Sequence, residues 1–401
     1  MDHTQAFRSA ISDGTIPSAV LLAKRRDKDS DVLSTYMGPK SVASCEPDPI
    51  DSNTIFTLAS VTKLPTTIAA LQQVEQGRIQ LDDNVTELLP VLRQQKILSG
   101  FDDTGKPILK DRNGPITLRH LLTHASGIGY SFLSSAEKLQ KYINHTGRAP
   151  GQGSTVETRF DLPLLYEPGE GWAYGAGVDW AGRVVEKLSG LSLEEYFNEH
   201  IWKPLGASST FTFFPGKDKS TRPHLATLAS RTAESQQLKA VPEGFDLNRG
   251  LEECFGGHGG YGRAEDVLKL LHSLLANDGR VLQPKTVNIM FQGQLSQPSK
   301  TALKQSLEGP AWAVGDYYAD EEYNWGLGGI LIEKPSSAAP YTRGVNTLIW
   351  SGAPNIFWFI DRSNELCGLF VTQLLPSADP GATDVIREFQ KVAYHLNKAG
   401  E

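Results

Sequence analysis

Cysteine is scarce in this chain: Cys45, Cys254 and Cys367 are the three among 401 residues, an odd number with no short spacing. That excludes a disulfide framework and a zinc knuckle, and it favours a reducing compartment. Positive charge is not in excess either. The net charge is -7, and the densest basic run, Lys24-Arg25-Arg26, is followed at once by Asp27, Asp29 and Asp31. The chain therefore carries no electrostatic footprint for nucleic acid and no polybasic membrane patch. No apolar run reaches the roughly 18 residues of a membrane span. The start, Met1-Asp2-His3-Thr4-Gln5, lacks the basic-then-apolar pattern of a secretion signal. A cytoplasmic protein is expected. Internal repeats are absent, and so is the G-x-S-x-G elbow of the commonest esterase fold.

What is present is a soluble globular composition, 39% hydrophobic and 21% charged, long enough for two lobes. Residues 5–13 read as a short helix stopped at Gly14. Ser18 to Lys24 reads as a strand, with Val32 to Met37 as its hairpin partner and Ile55 to Ala59 as a third. Leu64, Ile68, Leu71 and Val74 then recur at helical spacing up to Gly77. Thr117 caps a helix through His124. Trp180, Val184 and Leu188 line another, and Ser192 with Glu195 forms a capping box for the next. A turn-rich tract covers about 207–250, and Ala264 to Ala276 is a helix closed by Asn277. Thr347 to Trp350, Ile356 to Ile360 and Leu366 to Gln373 are β-rich runs in a meander, before a last helix over about 382–397. Strands at both ends and helices between predict an α/β (α+β) fold: one antiparallel sheet flanked by helices, with a helical lobe inserted. The expected division is 1–88 with 204–401 for the sheet domain and 89–203 for the lobe, the active site lying between them.

Two motifs are decoys. Gly257-His258-Gly259-Gly260-Tyr261-Gly262 matches G-x-G-x-x-G, but no core strand precedes it, so a tight turn is the better reading. His120 and His124 stand at i and i+4, yet Leu121 occupies the place of a metalloprotease glutamate and no third ligand is signalled. They read as helix-end or loop anchors. No metal or cofactor is called for.

Ser60-Val61-Thr62-Lys63 carries more. A serine hydroxyl is a weak nucleophile until a neighbour removes its proton, and side chains at i and i+3 of a helix start share a face. Lysine serves as that base only where burial or positive surroundings lower its pKa. The motif alone is common, and serine is also a good helix cap. Two further stretches add weight. Tyr174 follows a Pro-Gly turn and precedes a helix, where its phenol can share a proton relay with Lys63. Trp350-Ser351-Gly352-Ala353 ends an apolar strand, whose edge can lend a backbone N–H to an oxyanion.

The order S-x-x-K, loop tyrosine, strand ending in x-[ST]-G resembles the serine β-lactamase and penicillin-binding-protein superfamily, in its class C β-lactamase and esterase branch. Ile116-Thr117-Leu118-Arg119-His120-Leu121-Leu122-Thr123-His124-Ala125-Ser126-Gly127 is a marker of that branch. Phe101-Asp102-Asp103, Glu252-Glu253-Cys254-Phe255-Gly256-Gly257, Leu282-Gln283-Pro284 and Pro354-Asn355-Ile356 are similar to the fungal lovastatin (monacolin J) acyltransferase family. The resemblance implies Ser60 as nucleophile, Lys63 and Tyr174 as general base and acid, and the backbone N–H groups of Ser60 and Ala353 as oxyanion hole. It implies a thioester donor, carried by an acyl carrier protein domain in that family, and a polyketide alcohol as acceptor. Water in place of the alcohol makes the enzyme an esterase.

Departures from the β-lactamases bear on substrate. Ala176 replaces their asparagine after the tyrosine, and Trp350 replaces the lysine or histidine of the third motif. A lactam thus loses two anchors, while an apolar acyl chain gains an aromatic wall. Trp172, Trp350, Ser351 and Gly352 are expected to bind substrate. Trp312 and Trp325 are expected at an acceptor-pocket rim, in or beside a polar insertion of about 293–324 with little reason to be packed. Pro65, two residues after the lysine, is expected to tighten or kink the first helical turn.

Overall fold

A computed structural model describes residues 2–27, 31–44, 48–133, 136–149, 151–207, 210–217, 220–231, 237–241, 248–309 and 311–399. Cys45 and parts of the turn-rich tract lie outside the described residues. The main sheet takes strands from both ends of the chain. They are β1 (Ala19–Arg25), β2 (Asp31–Met37), β3 (Glu322–Trp325), β4 (Ile330–Lys334), β5 (Thr347–Gly352), β6 (Ile356–Asp361) and β7 (Leu366–Val371). Their order is β2-β1-β7-β6-β5-β4-β3, and every neighbouring pair is antiparallel. The sheet closes where the two termini meet, with Val20 opposite Val371 and Leu22 opposite Leu369.

The helices that matter for the site are α1 (Gln5–Ser12), α2 (Lys63–Glu75), α3 (Leu118–Leu122), α4 (Val156–Phe160), α5 (Gly177–Ser189), α6 (Ala264–Ala276) and α7 (Pro380–Ala399). β5, β6 and β7 are buried along their whole length, which is why they read as continuous apolar runs and not as alternating ones. Helices α6 and α7 pack against these central strands. Val385, Ile386, Phe389, Val392 and Ala393 form the helical stripe that α7 buries. α2 is different. It lies against α5 and is buried nearly all round, so a single apolar stripe understates its environment.

Several expectations shift. Ile55–Thr57 is a strand of three residues that pairs with Tyr261–Arg263, away from the main sheet. The chain leaves the extended conformation at Leu58, and Ala59 then takes φ +45, in the left-handed region. A 3-10 turn over Ala59–Thr62 follows, and α2 begins only at Lys63. Pro65 then falls in the first turn of α2, where N–H groups have no partner within the helix, so α2 loses no bond of its own ladder. The helix capped by Thr117 stops at Leu122, and His124 lies outside it at φ +60. The tract at about 293–324 is ordered into the helix Gln297–Glu308 and most of β3, and it is only partly packed: in the helix Ser299 and Leu303 alone are buried. Its buried polar groups find partners elsewhere in the fold. Ser299 Oγ donates to the Gly171 carbonyl at 2.8 Å, and Glu321 pairs with Arg343 at 3.2 Å, both buried.

Candidate active site

Ser60 is delivered by the 3-10 turn and Lys63 by the first residue of α2, three positions on. Lys63 Nζ stands 3.3 Å from Ser60 Oγ. Tyr174 reaches the same oxygen from the loop before α5, its O–H donating to Ser60 Oγ at 2.7 Å. The three residues brought together in sequence by motif and resemblance thus meet at one atom. Lys63 is also bonded to the Gly257 carbonyl at 2.6 Å and to Tyr130 Oη at 3.3 Å. Tyr130 in turn donates to Asp179 Oδ2 at 3.0 Å, while Asp179 Oδ1 accepts from the Gly257 N–H at 2.8 Å.

Burial sets the charge states. It lowers the Lys63 pKa from its ordinary 10.5 to about 7, only partly opposed by the Asp179 charge. Burial also raises the Tyr174 phenol above its ordinary range, so it rests as a neutral donor. His124 is pushed well down by burial and then by the Lys63 charge. It stays neutral and accepts from the Gly175 N–H through Nδ1 at 3.3 Å, holding the residue after Tyr174. His120 closes the capping box with Thr117. Both histidines anchor backbone. Among the described residues no group of three His, Cys, Asp or Glu is arranged to hold a metal ion.

The end of β5 abuts Ser60. A Cβ on Gly352 would lie 2.4 Å from the Leu58 carbonyl, so only glycine lets the strand approach the turn carrying Ser60. The glycine-rich turn after Phe255 is a close-approach strap. Gly260 N–H donates to Thr62 Oγ1 at 3.0 Å, and the Gly256 carbonyl accepts from Thr66 Oγ1 at 2.7 Å.

Ser60 opens into a cavity of about 590 Å³. Phe132, Leu133, Ile143, Phe160 and Leu162 make its apolar side, and Arg159 and His258 add polar groups. Trp350, Ser351, Ala353 and Trp312 line it as well. Trp312 and Trp350 press on the Tyr174 ring, with centroids 5.1 and 5.0 Å away. Trp172 and Trp325 do not line the cavity; they back the wall, Trp325 lying 4.7 Å behind Trp350 and 5.5 Å from Trp172. Gly352 is also absent from the cavity surface. Sequence reasoning missed Tyr130 and Asp179. Asp179 resembles an ordinary acidic residue in the first turn of a helix, where the helix dipole accounts for it. The one available signal is that it shares α5 with the apolar Val178, Trp180 and Ala181.

A buried lysine and a phenol converge on one serine beside the end of a central strand of an antiparallel sheet, an arrangement that can activate a hydroxyl as a nucleophile. The chain belongs to the Beta-lactamase family, whose model matches residues 5–393. It is 37% identical to the ML-236A carboxylate methylbutanoyltransferase mlcH of Penicillium citrinum, over 98% of this chain and 94% of that one. It is equally 37% identical to the lovastatin esterase of Penicillium rubens, over 100% of this chain and 99% of that one. Its fold superposes on the LovD6 mutant of simvastatin synthase (LovD) from Aspergillus terreus with a TM-score of 0.91, at 36% identity, covering 99% of this chain and 95% of that one.

Proposed function

We propose that this protein transfers an acyl group from a thioester, through an acyl-Ser60 intermediate, to a secondary alcohol of a polyketide that also bears a carboxylate. The observation that carries this reading is Ser60 Oγ held between Lys63 and Tyr174 beneath a largely apolar cavity. In the first half-reaction the Ser60 oxygen bonds to the thioester carbon and its proton passes to Lys63. The C–S bond then breaks, and the leaving thiolate takes a proton delivered through Tyr174. The backbone N–H groups of Ser60 and Ala353 are assigned to the oxyanion. An alcohol then enters by the reverse proton path, forms the ester and restores Ser60. A carrier-protein domain is the proposed source of the thioester. The free, buried Cys254 and Cys367 suit a cytosolic setting, and among the described residues no helix is long and apolar enough to cross a membrane.

Arg159 supplies the recognition of the carboxylate. Its Nε donates to the Gly153 carbonyl at 2.9 Å, and its guanidinium lies 5.4 Å over the Phe255 ring, which leaves it planted in the cavity wall. Neighbouring Arg148 is spent on backbone, donating to the carbonyls of Asp161 and Gln152. With a short branched acyl thioester and a carboxylated secondary alcohol, the expected product is ester in excess of free acid. Arg159→Ala is expected to raise the acceptor KM by about ten- to a hundredfold, with a smaller change in kcat. Free acid as the main product at saturating alcohol sinks the transferase reading and establishes the esterase one. The identity with lovastatin esterase makes hydrolysis the second reading.

A further inference from the structure

Asp179 is a buried acid at this centre to which the acyl-transfer cycle gives no task. It sits on α5 at 0% exposure. No ion pair joins it to Lys63 among the described residues; it grips instead the two groups that Lys63 touches. An ionised carboxylate accepts hydrogen bonds and donates none. The single hydroxyl hydrogen of Tyr130 is therefore committed to Asp179 Oδ2, and what Tyr130 presents to Lys63 is an oxygen lone pair. Gly257 is pinned through its N–H to Asp179 Oδ1, with its carbonyl held 2.6 Å from Lys63 Nζ.

A neutral amine has two N–H donors and one lone pair. Lys63 Nζ has three oxygen neighbours: Gly257 O, Tyr130 Oη and Ser60 Oγ. Two of them are acceptors by construction and take the two N–H groups. What remains for Ser60 is the lone pair. We infer that Asp179 is a positioning residue that fixes the direction of the hydrogen bonds around Lys63, so that the amine accepts the Ser60 proton and does not offer one. This rests on the reading of Ser60 as nucleophile and Lys63 as its base. It also explains a glycine: a Cβ on Gly257 would lie 2.2 Å from Asp179 Oδ2. The glycine-rich turn exists at this point to admit a carboxylate of the chain itself.

The titratable and charged groups around the amine come from several elements. Tyr130 and His124 lie on the segment after α3. Tyr174, whose ring is 4.6 Å from Nζ, precedes α5, and Asp179 lies on α5. Arg159 on α4 feels the Asp179 charge. Asp179 is the anion of the set. Without it the Lys63 ammonium loses stabilisation and sheds its proton at lower pH.

The test is the pH profile of Ser60 acylation by p-nitrophenyl butyrate in the full chain. Asp179→Asn is expected to move the acidic limb down by about one unit and to lower the plateau. A reduced plateau with an unmoved limb overturns the inference, since loss of packing alone does that. Should Asp179→Asn not fold, Tyr130→Phe opens one arm of the bracket and is expected to displace the limb as well; a limb unmoved there overturns it equally. Fluorophosphonate labelling of wild type and Ser60→Ala runs alongside. Label retained in Ser60→Ala refutes the nucleophile, and so the reading beneath, which separates that failure from a failure of Asp179's role.

Discussion

Lys63→Met is expected to slow acylation of Ser60 by about two to four orders of magnitude, while making the fold more stable below pH 7. The two effects have one cause. Burial holds the Lys63 pKa near 7, against 10.5 in an exposed chain. Between those values the unfolded chain binds more protons than the folded one, so wild-type stability rises with pH across that window. Below pH 7 the full cost of burying the ammonium is present. Methionine has a similar length and no charge, and it removes that cost while leaving the Gly257 carbonyl and Tyr130 short of a donor. The net gain is roughly 2–4 kcal/mol at pH 6; it falls as pH rises and turns into a net loss near pH 10.5, where the missing donor to Gly257 and Tyr130 is the cost that remains. Denaturant unfolding at pH 6 and pH 9.5 measures it, and the wild-type rate profile should show its acidic limb near pH 7. A variant less stable than wild type at pH 6, or one that acylates normally, contradicts the assignment of Lys63 as a buried neutral base.

Gly175→Ala is expected to cost roughly 3 kcal/mol or more of stability and to disable the centre. A Cβ there would stand 1.9 Å from the Ile128 carbonyl oxygen and 2.7 Å from the Gly129 Cα, both backbone atoms that cannot swing aside. Gly175 is also flanked by the contacts that place Tyr174: its own N–H goes to His124 Nδ1 at 3.3 Å, and the Tyr174 carbonyl accepts from the Tyr130 N–H at 3.1 Å. Moving this strip withdraws the phenol from Ser60. Gly216→Ala is the control, because a Cβ at Gly216 meets nothing within 4 Å, and its effect should stay within about 0.5 kcal/mol. Urea midpoints together with kcat/KM for both variants decide the matter. A Gly175→Ala protein as stable and active as wild type rules out the tight crossing of the two segments.

The parts of this enzyme that were legible in its sequence are those with a local cause. Ser60 and Lys63 stand three residues apart, so one turn of chain fixes their geometry. The apolar runs at both ends announced a sheet built from both termini, because strands buried on each face cannot hide their composition. Ser192 and Glu195 formed the capping box that their spacing announces. Other features depend on tertiary placement. Tyr130 lies 67 positions from Lys63 and carries no local mark of its role. β3 and β4 are short and separated by Gly326, Gly328 and Gly329, a punctuation that reads as loop. Trp312 and Trp325 look alike as letters, yet one lines the cavity and the other backs it. That depends on which side of a wall each faces, and a tryptophan's neighbours in sequence do not encode it. The tract carrying Trp312 looked too polar to pack, because its buried polar groups have distant partners, as Asp316 has in Arg387 and Glu321 in Arg343.

The most direct test of acyl transfer through Ser60 is intact-protein mass. Wild type and Ser60→Ala are mixed with a short branched acyl thioester, and a polyketide secondary alcohol is then added. One acyl adduct is expected on wild type and none on Ser60→Ala, with clearance faster in the presence of the alcohol than in water alone. An adduct retained by Ser60→Ala, or clearance unchanged by the alcohol, contradicts acyl transfer through Ser60.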